Sequence, residues 1–149
     1  MLDQLNQKEL LEAIELFYFS YRSFTAGPDQ ILQNQGLGRV HHRILYFVGR
    51  NPHISINELL KILQVSKQAL NPPLRKLIEL ELISPQLSEN DRRIKQLILS
   101  KSGQALENKL TSTQLQHLEN AFTGSKNSSL KNWKELMLQI SLTGPAIKK

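Results

Sequence analysis

Asp91, Arg92 and Arg93 stand together in the run Asn90-Asp91-Arg92-Arg93-Ile94-Lys95-Gln96-Leu97-Ile98-Leu99-Ser100-Lys101-Ser102-Gly103. Adjacent guanidiniums on a turn suit a polyanion, because each offers a planar fork of donors to phosphate oxygens. They also suit the negative potential of a narrow minor groove. A second polar set lies upstream: Ser66, Lys67, Gln68, Asn71, Arg75 and Lys76. Gln and Asn amides can pair bidentately with adenine in a major groove, and Lys can reach guanine. Arg75 and Lys76, one turn on, suit phosphate contacts, which fix register without reading sequence. Ser66 reads first as a helix cap, with a phosphate contact open to it in addition.

The elements that must position these residues follow from periodicity and punctuation. Leu10, Ile14, Phe17, Tyr18 and Tyr21 recur at three- and four-residue steps, which predicts an amphipathic helix from Leu5 to about Phe24. Ala26-Gly27-Pro28-Asp29 reads as its end. Leu37, Val40, Ile44, Phe47 and Val48 mark a second helix, stopped by Gly49-Arg50-Asn51-Pro52. Ser55 with Glu58 has the spacing of a capping box and opens a third, with Ile56, Leu59, Leu60 and Leu63 inward. Ser66 opens a fourth, whose Leu70, Leu74 and Leu77 share a face. Leu82-Ile83 begins a strand, Ser88 to Arg92 form a hairpin tip, and Ile94 to Leu99 return. Ser100 starts a long helix through Leu106, Leu110, Leu115, Leu118 and Phe122. After a loop at 124–128, Leu130, Trp133, Met137 and Ile140 mark a last helix ending at Gly144-Pro145. The whole reads as mainly α with a small β-hairpin wing (α+β): a winged helix-turn-helix core over 37–103, within a single domain spanning 1–149.

The segments 1–26 and 104–143 flank a core that needs no such additions to fold. Their apolar stripes, carrying Phe17, Tyr18, Tyr21, Trp133 and Met137, either complete one chain's core or pack against a second copy. Their place outside a self-sufficient module favours a homodimer.

Charge placement agrees with the polar sets. The chain carries +6, and the segment from Arg39 to Lys101 holds 11 Lys/Arg against 5 Asp/Glu, while the remainder has 8 of each. The whole excess therefore lies on the helix-turn-helix and hairpin, the electrostatic footprint of a polyanion partner, and its coincidence with that layout makes double-stranded DNA the expected one. The absence of Cys excludes disulfides, thiol redox sensing and thiolate zinc sites. No apolar run suits a membrane span, and the N-terminus lacks the pattern of a signal peptide, which points to the cytoplasm and away from membranes. His41 and His42 are adjacent, about 100° apart on a helix, and cannot share a metal as an i, i+4 pair does. No metal, cofactor or catalytic constellation is indicated, and an enzyme is not expected.

On these residues the chain resembles the MarR family of bacterial transcription regulators. Asp91-Arg92-Arg93 with the strand to Leu99, Ser100 and Gly103 is similar to that family's wing motif, Asp-x-Arg, a hydrophobic strand, Leu-Thr/Ser and Gly. The stretch Leu37 to Pro52 resembles the second helix of one branch, and Ser66 to Asn71 with Leu74-Arg75-Lys76-Leu77 resembles the recognition helix. The resemblance implies a homodimer held by the terminal helices and two lobes reading a near-palindromic operator. It implies a repressor released by a small aromatic or anionic effector bound between lobes and dimer helices. It also implies that Asp91 and Arg93 brace the wing as an ion pair. Position on the second helix places His42, Arg43 and Tyr46 as ligand candidates, against the alternative of a half-buried surface near the dimer helices.

Asn71-Pro72-Pro73 departs from the family pattern. Two prolines inside a helix each remove a donor and clash one turn back, at a cost of about 3 kcal/mol or more. A helix restarting at Pro72, capped by Asn71, avoids that cost, and a kinked continuous helix is the competitor. The restart predicts a break between Leu70 and Pro73 and supports a rival function, a winged-helix protein-interaction module with weak or non-specific DNA binding.

Overall fold

A computed structural model describes residues 6–127 and 129–145. Leu5, where the sequence pattern begins the first helix, and Ser128 lie outside them. The elements run α1 (Gln7–Gln33), α2 (Arg39–Arg50), β1 (Ile54–Ser55), α3 (Ile56–Leu63), α4 (Lys67–Glu79), β2 (Ile83–Leu87), β3 (Lys95–Leu99), α5 (Lys101–Gly124) and α6 (Leu130–Thr143). The fold is thus mainly α with a small antiparallel sheet, ordered β1-β3-β2.

Helix starts fall where the caps predict. Ser55 Oγ accepts from Glu58 N at 3.1 Å, Ser66 Oγ from Ala69 N at 3.1 Å, and Ser100 Oγ from Gly103 N at 3.0 Å. Each satisfies one donor that the first turn cannot pair internally. The Glu58 carboxylate meets the Ser55 hydroxyl at 3.1 Å, a variation on the expected box. The hairpin pairs Ile83 with Leu99 and Leu87 with Lys95. Ile94, expected in the returning strand, belongs to the turn.

The core joins α2, α3, α4, the sheet and the ends of α1 and α5. Ile44, Leu45, Leu59, Leu77, Leu97 and Leu110 are fully or almost fully buried, with Leu32 from the end of α1. β1 was not expected. It is two residues long, pairs Ile54 with Leu97 and Ser55 with Gln96, and has no alternation that could announce it.

Two expected breaks are absent. α1 does not end at Ala26-Gly27-Pro28-Asp29 but continues to Gln33 with Pro28 inside it. Thr25, Pro28 and Leu32, at helical spacing, are buried along one side, so packing of that stripe outweighs the single lost hydrogen bond. The helix stops instead where Gly36 takes φ +68° and Leu37 N donates to Leu32 O at 3.0 Å.

Nor does α4 restart at Pro72. It is one helix from Lys67 to Glu79 with Pro72 and Pro73 in its interior, so the capping argument for Asn71 fails. The donors missing at Pro72 and Pro73 would have bonded the carbonyls of Gln68 and Ala69, one turn back. Those residues and Pro72 are exposed, which leaves the carbonyls open to water. Leu70, Leu74 and Leu77 meanwhile anchor the opposite face in the core, and tertiary burial overrides local propensity.

Candidate nucleic-acid interface

Gln64 closes α3 in the left-handed region, φ 54° and ψ 44°, and two residues later Ser66 caps α4. This tight turn sets α4 with its leucines inward. Lys67, Gln68, Asn71 and Arg75 are consequently exposed, and their side chains make no hydrogen bond or ion pair among the described residues. They are unpaired donors and acceptors along the outward side of one helix. Asn71, released from the capping role, belongs to this set. Ser66 is occupied as a cap. Lys76 is also committed, since its Nζ donates to the Gly36 carbonyl, tying α4 to the loop before α2.

The hairpin tip divides its charges in the same way. Asp91 accepts from the Arg93 backbone N–H at 3.0 Å, from Nε at 3.1 Å, and through its other oxygen from Nη2 at 3.2 Å. The side chain and backbone of Arg93 together hold the Asp91 carboxyl below its ordinary range. The Arg93 side chain is still 91% exposed, so it can brace the turn and face outward. Arg92 is exposed and unpaired among the described residues.

His42, Arg43 and Tyr46 come together on the wall of a cleft of about 360 Å³ between α1, α2 and α5. Arg43 Nη2 donates to the Tyr21 hydroxyl at 2.6 Å, which places Tyr21, expected at a dimer contact, in this cleft. Arg39 pairs with Asp29 at 2.9 Å and lies over the Tyr21 ring at 5.3 Å. His42 is buried, and its Nε2 has no hydrogen-bond partner among the described residues. Burial lowers its pKa, partly countered by the nearby carboxylates of Glu107 and Asp29. Arg39 and Asp29 were missed as site residues. Asp29 reads as a helix stop only while Pro28 is taken to end the helix.

A buried carboxylate was also missed. Glu107 on α5 is 0% exposed. It accepts from Thr111 Oγ1 at 2.7 Å and Gln104 Nε2 at 3.3 Å, and pairs with Arg50 at 3.2 Å. Arg50 in turn lies 4.7 Å from the Tyr46 ring centre. The end of α2 is thereby fastened to α5, with the buried charge fully partnered as a low-dielectric site requires. No spacing in the sequence links positions 50 and 107.

Phe17 and Tyr18 on α1 and Trp133 on α6 are exposed, and Met137 is half-buried. They are joined by Leu10, Leu11, Ile14 and Leu16 on α1, Leu115 on α5, and Leu136 and Leu142 on α6.

Comparison with known proteins adds four findings. Residues 35–94 match the model of the MarR family. The chain is 33% identical over 133 residues to the HTH-type transcriptional regulator PetP of Rhodobacter capsulatus, covering 89% of this chain and 80% of that protein. Among solved structures, it is similar to a MarR family transcription regulator, with TM-score 0.75 and 18% identity over 90% of this chain and 89% of the other. It is also similar to a MepR variant of S. aureus bound to an oligodeoxyribonucleotide, with TM-score 0.60 and 20% identity over 87% of this chain and 93% of the other.

Proposed function

The chain belongs to the MarR family of winged-helix transcription regulators, and from that membership we propose that it is a homodimeric repressor that reads a near-palindromic operator. The observation that carries the reading is the set of unpaired polar side chains, Lys67, Gln68, Asn71, Arg75 and Arg92, on the one module that holds the whole excess charge. α4 supplies base contacts through Gln68, Asn71 and Lys67, and phosphate contacts through Arg75. Arg92 and Arg93 at the wing tip meet phosphates or a minor groove, and Asp91 keeps the turn in shape. The partner in the dimer is a second copy, whose α1, α5 and α6 cover the exposed apolar stripes. A small aromatic or anionic effector bound against His42, Arg43 and Tyr46 releases the DNA. The cleft supports this, because it lies where the arm helices α1 and α5 meet the α2 of the reading lobe. The rival, a protein-interaction module, drew its support from a broken recognition helix, and α4 is unbroken.

Titration of labelled duplex at several salt concentrations tests the reading. Affinity should fall with a log–log slope of about −0.9 per neutralised phosphate. Arg92→Ala should flatten that slope by about one contact per lobe, weakening specific and random duplex alike, with little change in thermal stability because the Arg92 side chain has no partner among the described residues. Binding that is insensitive to both salt and Arg92→Ala would remove the wing from the interface and return the protein-interaction reading.

A further inference from the structure

With Leu70, Leu74 and Leu77 turned into the core, positions 68, 71, 72 and 75 fall together on the opposite side of α4, at the i, i+3, i+4, i+7 spacing of one helix face. All four are exposed. Gln68, Asn71 and Arg75 are polar. Pro72 stands among them as an apolar ring with neither donor nor acceptor. It contributes nothing to the buried core and costs the helix a hydrogen bond. Packing in the core does not account for this ring, which faces outward on the same side as Gln68, Asn71 and Arg75.

Resting on the DNA-binding reading above, we propose that Pro72 is a specificity-determining residue that seats its ring against the C5-methyl group of a thymine in the major groove. That methyl is the apolar group on the major-groove edges of the four bases. Pro72 lies six residues into α4, in the N-terminal half that meets base edges when such a helix enters the groove. The ring has no side-chain rotamers to freeze, so the contact forms without the ordering cost of a flexible aliphatic chain. The neighbouring amides of Gln68 and Asn71 have the geometry to pair with adenine. The face therefore selects A·T pairs in each half-site, with thymine at the position facing the ring. Pro73 is only half-exposed and takes no part in this reading.

The test uses the full chain and a duplex selected by it from a random pool. Each thymine of one half-site is replaced in turn by deoxyuridine, which removes the methyl and leaves the hydrogen-bonding edge intact. One replacement should weaken binding about fourfold, equivalent to about 0.8 kcal/mol for one buried methylene-sized group. Pro72→Ser should abolish the penalty at that position while keeping the salt slope. Pro73→Ala, which restores a helix hydrogen bond but leaves the Pro72 ring in place, should keep the penalty and so separates the ring contact from any change in helix shape. Uniform indifference of the natural protein to deoxyuridine would overturn the inference and leave DNA binding standing. So would a penalty that survives Pro72→Ser, or one lost equally in both variants. Failure of the pool to yield any enriched duplex would remove the operator reading and this inference together.

Discussion

At the scale of single residues, the decisive distinction is between charges that are free and charges already committed. Lys67 and Arg92 look like Lys76 and Arg93 in sequence, yet Lys76 is bound to the Gly36 carbonyl and Arg93 is forked onto Asp91. Composition finds all four and cannot sort them, because the sorting depends on which carbonyl or carboxylate the fold brings alongside. His42 offers a test of its own. Burial lowers the pKa of its imidazole, with Glu107 and Asp29 opposing that shift and Arg43 adding to it. An unfolded histidine titrates near pH 6.5. Below that value the unfolded chain takes up a proton that the folded chain resists. The stability is therefore full above the unfolded pKa and is lost as pH falls through the lowered folded one. Denaturation midpoints should hold level from pH 8 to 7 and decline in acid, by no more than about 1.4 kcal/mol per pH unit for each such proton. His41 is also lowered, by burial and then by Lys76, so His42→Gln should reduce the decline without removing it. Equal acid slopes for the natural protein and the variant would show that His42 is not the group responsible.

At the scale of elements, the junction between the wing and α5 is the tightest approach among the glycines. A Cβ on Gly103 would lie 1.9 Å from the Leu82 carbonyl oxygen. Ser100 holds the same strand end, its N–H donating to Leu82 O at 3.0 Å and its hydroxyl to Glu81 O at 2.6 Å. Gly103→Ala should therefore push α5 away from β2 and destabilise the fold by about 1–3 kcal/mol or more, as overpacking does. A urea midpoint equal to the natural protein's would show that the junction can shift freely. Elements of this kind were legible wherever local chemistry decides the outcome. Ser55, Ser66 and Ser100 cap the helices they precede, and the hairpin turns where Asn90-Asp91 predicts. Legibility failed where distant packing decides. Pro28 and Pro72 carry real local penalties, but Leu32 in one case and Leu70, Leu74 and Leu77 in the other are buried by partners far along the chain. β1 exists only because Leu97 and Gln96 of β3 lie beside it. The cleft was legible in part: the position of α2 pointed to His42, Arg43 and Tyr46, while Asp29 and Arg39 required the true length of α1.

At the scale of the whole molecule, one chain leaves much of its apolar surface uncovered. Every described residue of α1 as far as Ser23 is exposed, and α6 has no buried residue. Patches of that extent fit the dimer interface proposed above. Truncation before Leu130 should therefore convert a dimer to monomer or aggregate, read by analytical ultracentrifugation at micromolar concentration. A full-length chain that sediments as a monomer there would refute the dimer. The unburied length of α1 has a further consequence for the life of the protein. A helix with no packed face is marginal in water on its own, so in the proposed dimer the first half of α1 owes its persistence to association. On the dimer reading, a newly made chain that has not met its counterpart should fray there and offer an unwound, leucine-rich segment to proteases. Chains in dimers are spared, by mass action. On that reading the half-life of the protein in the presence of proteases rises with its own concentration, and a modest drop in synthesis clears it disproportionately fast.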